Sequence, residues 1–293
     1  MLKNSSKQLL KFILVMFFSF SFSISAFAET ENGAIVGNNS YATAYSMGYW
    51  KYASSTICNL KAGQDEAYFK FTAYKGDRLY VRTSYDSDYQ GMFLEVLNNN
   101  YTTVDSSGNV VDPGAILSFI YVSKINATSN SQNFYIRIKR GNYTGDMIFS
   151  INVEDRIKSS SGKFNFNGTA SNSGNPDILT NPNGVDSSII SMDLTNNSTI
   201  PNGAVVKSIT TSGNLSRNLG GITHEILPSQ TNDWYLSTVA SARTGYYNID
   251  LSNELNVAQK WDFRYNALAR SSSTMSDVKA TINYEYDLTK AFE

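Results

Sequence analysis

The chain is poor in cysteine, histidine and charge. Of its 293 residues one is cysteine, Cys58, and one is histidine, His224. A lone cysteine cannot close an intramolecular disulfide, so the fold must be held by packing or by a metal. Paired-cysteine and His-Glu-x-x-His zinc patterns are missing, and a Ser-His-Asp triad would have to use His224, with no Gly-x-Ser-x-Gly elbow beside it. Charged residues make up only 17% and the formal net charge is -1, with Lys and Arg scattered among Asp and Glu. No basic patch stands out, so nucleic acid is not an expected partner. Beyond the N-terminal region no apolar run has the length of a membrane-spanning helix, so no integral membrane segment is expected in the mature chain.

The N-terminal region itself is distinctive. Lys3, Lys7 and Lys11 precede the apolar run from Phe12 to Phe22, and Ala26-Phe27-Ala28 follows. A basic start, a short apolar middle and small residues at the end are the marks of a cleaved secretory signal peptide over residues 1–28. The mature chain then begins at Glu29, outside the membrane. Removing the three lysines takes the net charge to about -4 and leaves about 265 residues, enough for two ordinary domains. The cysteine-poor style, with no lipobox cysteine after the signal, points to a Gram-positive source.

With 19 Tyr, 16 Phe and 19 Gly amid abundant Asn, Ser and Thr, the composition favours strands joined by polar turns. In the first half the spacing predicts strands over 66–73, 78–84, 91–97, 116–122, 133–139 and 146–153. Ala67-Tyr68-Phe69-Lys70-Phe71 and Phe134-Tyr135-Ile136-Arg137-Ile138-Lys139 alternate with period two, one face buried and one solvated. Lys75-Gly76-Asp77, Asp112-Pro113-Gly114 and Arg140-Gly141-Asn142 supply turns. The polar run 156–163 reads as an inter-domain linker. Beyond it, strands are expected over 188–195, 204–211, 222–227, 234–240, 246–251, 261–269 and 277–288. The predicted fold class is all-β: two antiparallel β-sandwich domains, 29–155 and 164–293, the second jelly-roll-like.

Five blocks of the first domain carry a family resemblance. They are Asn38-Asn39-Ser40-Tyr41-Ala42-Thr43-Ala44, Asp65 to Phe71, Lys75 to Val81, Met92 to Leu97, and Phe134 to Ile138 followed by Gly145 to Ile151. In this order they resemble the bacterial pre-peptidase C-terminal domain family, small β-sandwiches found beside secreted proteases and related to the collagen-binding modules of clostridial collagenases. The resemblance implies an accessory or targeting role. Calcium-binding members carry an acidic residue just before the opening Asn-Asn, where this chain has Ile35-Val36-Gly37. The second domain is similar, through Ile200 to Ala204 and Gly220 to His224, to jelly-roll domains of secreted subtilases, with no residue role implied.

No cofactor is required by the sequence. Asp86-Ser87-Asp88-Tyr89-Gln90-Gly91 spaces oxygen ligands like the start of a calcium loop, making Asp86 and Asp88 the candidate metal ligands, but the twelfth position is Leu97 instead of a bidentate Glu. His224 is expected on a solvated strand face and Cys58 in the core. For ligand binding the candidates are Trp50, Trp234 and Trp261, whose rings could stack on sugars or grip a protein. Trp261 also shares a strand face with Phe263 and Tyr265, the pattern of a sandwich interior. No catalytic motif is present. The expected function is a secreted, non-catalytic protein that binds an extracellular macromolecule, a polysaccharide, cell-envelope component or matrix protein. The alternatives are a hydrolase built on Asp/Glu pairs and a β-rich membrane-active protein, for which Asp277 to Leu288 is the nearest match to a membrane-length strand.

Overall fold

The computed structural model describes residues 28–217, 221–247 and 254–293. The expected signal segment therefore lies, up to residue 27, outside the described residues. The chain divides after Glu154 into two units, and strands dominate both.

In the first unit, one sheet contains β1 (Glu29–Glu31), β2 (Ala34–Val36), β4 (Thr56–Leu60), β6 (Arg78–Ser84), β9 (Val110–Val111), β10 (Phe119–Asn126) and β12 (Met147–Asp155). Its order is β1-β2-β4-β12-β6-β10-β9. The other contains β3 (Tyr45–Tyr49), β5 (Glu66–Ala73), β7 (Phe93–Leu97), β8 (Thr103–Ser107) and β11 (Gln132–Lys139), in the order β3-β5-β11-β7-β8. Two pairings, β2 on β4 and β3 on β5, are parallel. The period-two pattern explains the core. Phe69, Phe71, Phe134, Ile136, Ile138 and Leu94 face Leu60, Leu79, Val81, Ile120, Phe149 and Ile151, all within one buried cluster. Phe71 and Phe134 are register partners and stack at 5.4 Å. Cys58 belongs to the same core and is fully buried.

The second unit pairs β13 (Ile157–Asn165), β14 (Ala170–Asn172), β17 (Val205–Ser216), β20 (Val239–Ser241), β21 (Thr244–Tyr247) and β23 (Ser273–Asp287) in one sheet. The opposing sheet holds β15 (Val185–Asp186), β16 (Ile190–Asp193), β18 (Ile222–Pro228), β19 (Tyr235–Leu236) and β22 (Lys260–Ala267). Trp261, Phe263 and Tyr265 point inward from β22, among Ile209, Ile226, Met275 and Ile282.

Three expectations are corrected here. The run read as a linker is β13, an edge strand paired with β23 from Ile157 opposite Asp287 to Asn165 opposite Lys279. Its serines are exposed, so no apolar alternation betrays it. Gly162 has a structural reason: a Cβ there would strike the ring of Phe164, which folds back to end the strand in the core. Ile116 and Leu117 are not in a strand. The Ser118 hydroxyl donates to the carbonyls of Asp112 and Ala115 at 2.8 Å, closing a turn that leaves both apolar side chains exposed. The segment 234–240 splits between sheets: Ser237 N–H donates to His224 O, and Thr238 N–H to Tyr246 O.

Candidate functional site

The outer face of the β3-β5-β11-β7-β8 sheet concentrates tyrosines. Period two turns Tyr68 and Lys70 of β5 outward, together with Tyr135, Arg137 and Lys139 of β11. Register sets Tyr135 opposite Lys70 and Arg137 opposite Tyr68 on one side, and Arg137 opposite Glu95 of β7 on the other. Two loop residues complete the cluster. Tyr41 lies 4.5 Å from Tyr68, 4.1 Å from Tyr101 and 5.6 Å from Tyr135, ring centre to ring centre, and Tyr101 lies 5.2 Å from Tyr135.

Both loops are held in place. Asn38 accepts from Tyr68 N–H at 2.6 Å through its carbonyl and donates from Nδ2 to Tyr68 O at 3.0 Å, tethering the segment that carries Tyr41. Tyr101 sits at φ +58°, unusual for a bulky residue. Asn98 enforces it: its side-chain oxygen accepts from the N–H groups of Asn100 (2.8 Å) and Thr102 (3.1 Å), while its carbonyl accepts from Tyr101 N–H (2.9 Å). Strain of this kind, where neighbours over-determine it, is the sort that collects at ligand-contacting positions.

Beneath the rings runs an ion network. Arg137 donates to Glu95 from Nε at 2.8 Å and from Nη2, and lies 3.8 Å from Glu66. Thr103 also donates to Glu95, and Lys139 stands 3.7 Å away. Burial works against the ionised Glu95, but the hydrogen bonds from Thr103 and Arg137 and the charges of Arg137 and Lys139 prevail and hold its carboxyl below the usual range. Tyr68 donates to Glu66, and burial together with that bond pushes its phenol up to about 12. Burial likewise raises Tyr41. Both hydroxyls stay protonated at neutral pH, with the Tyr68 proton given to Glu66. The rings around them offer large contact area at small entropic cost.

The residues singled out from sequence fall elsewhere. Trp50 opens a short turn after β3, packs on the core of the first unit and donates from Nε1 to Asp77 at 2.6 Å. Trp261 is fully buried, its indole N–H bound to Val257 O at 3.1 Å, so it cannot meet a ligand. Trp234 is half-buried with the Arg264 guanidinium 4.2 Å from its ring centre. Asp86 closes its own turn by accepting from Asp88 N–H at 3.0 Å, and Asp88 is exposed beside it. Among the described residues no three His, Cys, Asp or Glu side chains converge as metal ligands, and no helix is long and apolar enough to cross a membrane.

His224 overturns its expectation. It is two residues from both Ile222 and Ile226 and shares their inward face, fully buried. Nδ1 pairs with the Thr211 hydroxyl at 2.8 Å, and Nε2 has no hydrogen-bond partner among the described residues. Burial pushes the imidazole down to about 4, partly opposed by the Ala242 backbone. The strand considered for the membrane-active reading is the body of β23, paired on both sides by β13 and β17.

Sequence reasoning recorded the alternation that places Tyr68 and Tyr135 but did not assemble the cluster. The signal available was parity: Tyr68 with Lys70, and Tyr135 with Arg137 and Lys139, stand two apart on outward positions.

No family model matches the chain. It is 46% identical over 274 residues to the uncharacterized protein YbdN of Bacillus subtilis (strain 168), with 94% of each chain covered. Among solved structures it is similar to a candidate secreted protein from Eubacterium rectale, at 9% identity and a TM-score of 0.39, over 85% of this chain and 80% of that one. It is also similar to the pre-peptidase C-terminal domain of a Bacillus anthracis collagenase, at 12% identity and a TM-score of 0.28, over 38% of this chain and 94% of that domain.

Proposed function

The chain belongs to the family of the Bacillus subtilis protein YbdN, and from that premise we propose that it is a secreted, non-catalytic protein that binds an extracellular macromolecule through the tyrosine face of its first unit. The macromolecule is a polysaccharide, a cell-envelope component or a matrix protein. The observation that carries this reading is the four-tyrosine cluster, with rings 4.1 to 5.6 Å apart, two of them fixed by loops and two by strands. The Arg137–Glu95 pair below it ties β11 to β7, and above it the Tyr101 ring is the most exposed of the four. Export is supported by the N-terminal pattern of Lys3, Lys7 and Lys11, an apolar run and Ala26-Phe27-Ala28.

The test incubates residues 29–293 with insoluble chitin, cellulose, peptidoglycan and collagen, with and without calcium, and measures the bound fraction. Selective retention on one matrix is expected. Tyr101→Ala, which removes a ring 49% exposed to solvent, should weaken it by about tenfold or more, as truncation at a binding hot spot does. Equal retention of wild type and Tyr101→Ala on every matrix would sink the reading.

A further inference from the structure

The second unit has its own built surface, independent of the tyrosine face. On the outer side of the β22 sheet, register sets Glu225 of β18 between Arg264 of β22 and Leu236 of β19, and Asp186 of β15 opposite Asn266 of β22. Arg264 joins them. Its Nε donates to Glu225 at 2.7 Å and its Nη1 lies 2.8 Å from Asp186, while Asn266 Nδ2 donates to Asp186 at 2.7 Å. The Trp234 ring lies over the guanidinium, 4.2 Å from ring centre to Cζ. Cation–π contact of this kind fixes a ring that would otherwise rotate freely. Leu236, 59% exposed, extends the apolar edge beside it.

We propose that this Trp234–Asp186–Asn266 surface binds a pyranose unit of a neutral glycan. Three features select that chemistry. The indole is half-buried with one face occupied by Arg264, so its remaining surface is a rigid platform for the C–H face of a sugar ring. Asp186, with 37% of its side chain exposed, offers carboxylate lone pairs beside the Asn266 amide, a combination that accepts from and donates to neighbouring hydroxyls. The charge excludes the obvious rival: one guanidinium stands between two carboxylates, so the site carries an excess negative charge and repels an anionic ligand. Glu225, with only 7% of its side chain exposed, serves to hold Arg264.

One ring platform with two polar groups makes a shallow site, with an affinity for a single sugar on the order of millimolar, raised by a repeating chain. The experiment is native affinity electrophoresis of residues 29–293 in gels containing glycol chitin, hydroxyethyl cellulose, soluble xylan or laminarin, with alginate as the anionic control. Retardation is expected in at least one neutral gel and not in alginate. Trp234→Ala and, separately, Asn266→Ala, at a half-buried position, should each weaken it at least fivefold, in the wild-type and the Tyr101→Ala background alike. Fluorescence of the buried Trp261 checks that each variant is folded. No retardation in any neutral gel, retardation in alginate, unchanged retardation in both Trp234→Ala and Asn266→Ala, or loss confined to Tyr101→Ala would each overturn the proposal. The last of these would leave the tyrosine-face reading standing, so the two are separable.

Discussion

Glu95 on β7 and Arg137 on β11 are register partners, and Arg137 donates to Glu95 from Nε at 2.8 Å on the outer sheet face. Only 8% of the Glu95 side chain and 22% of the Arg137 side chain reach solvent. Removing one member leaves the other poorly solvated, a loss of several kcal/mol when burial is complete. Here Lys139 and Glu66 lie nearby and exposure is partial, so Glu95→Gln is expected to cost about 2 kcal/mol. A shift of the urea midpoint at constant slope measures it. The pair also contributes to pH dependence. With its folded value below the usual carboxylate range, Glu95 stabilises the fold above the unfolded value, and that stabilisation fades as pH falls through the folded one. Glu95→Gln should therefore flatten the acid limb of stability, and an unchanged limb would contradict the assignment.

Much of this face was legible in sequence, and the reason is local. Strands β5 and β6 run over the residues that alternation marks, 66–73 and 78–84, because hydrophobic period and burial coincide there. Tyr68 and Tyr135 follow from the same parity. Tyr41 and Tyr101 do not, since their meeting depends on loop geometry, including a φ of +58° that no periodicity encodes. β13 was illegible because Ser159, Ser160 and Ser161 are exposed on an edge strand, where nothing selects apolar residues. The inward His224 was legible in principle: its spacing from Ile222 and Ile226 is even, and the misassignment came from reading polarity where parity governs. Trp234 could be flagged as aromatic, but Arg264, Asp186 and Asn266 gather around it only once three strands pair.

Two glycines separate conformational strain from steric conflict. Gly141 adopts φ +73°, and a Cβ there would collide with the backbone from Gln90 to Met92. Gly63 adopts φ +82° with open space around it. Gly63→Ala should cost about 1 kcal/mol, the left-handed penalty alone. Gly141→Ala should cost at least about 2 kcal/mol more, because the Gln90–Met92 turn must shift as well. Thermal or urea unfolding of the two variants decides it, and equal losses would mean that the close approach at Gly141 relaxes without cost.

Cys58 offers a probe of opening. It is fully buried, its thiol donates toward Asn38 Oδ1 at 3.7 Å, and burial pushes it up to about 12. The thiolate is the reactive form, so a thiol reagent such as Ellman's should label the native protein only through unfolding. Labelling extent against urea is expected to overlay the unfolding curve followed by tyrosine or tryptophan fluorescence. Rapid labelling in buffer alone would show that the first core opens around β4 on its own.

His224 is expected to make the second unit less stable in acid. The imidazole is buried against Thr211 and Phe263, and its folded value is about 4 against an ordinary value near 6.5. The depression means that the unfolded chain binds a proton through the range between those values while the folded chain does not, so stability rises with pH there. His224 thus imposes no penalty above about pH 6.5, and its penalty grows as pH falls toward 4, reaching about 3 kcal/mol, since each unit of difference corresponds to about 1.4 kcal/mol. Carboxylates such as Glu95 lose their own contributions at lower pH, so the difference between wild type and His224→Gln isolates the histidine. At pH 7 the variant should be the less stable of the two, because glutamine replaces a ring packed edge-on to Phe263 at 5.3 Å. Between pH 6.5 and 4 the gap should narrow or reverse as wild type takes up its penalty. Urea midpoints at half-unit intervals measure this, and parallel curves for the two proteins would mean that the buried imidazole is protonated as readily in the fold as in the unfolded chain.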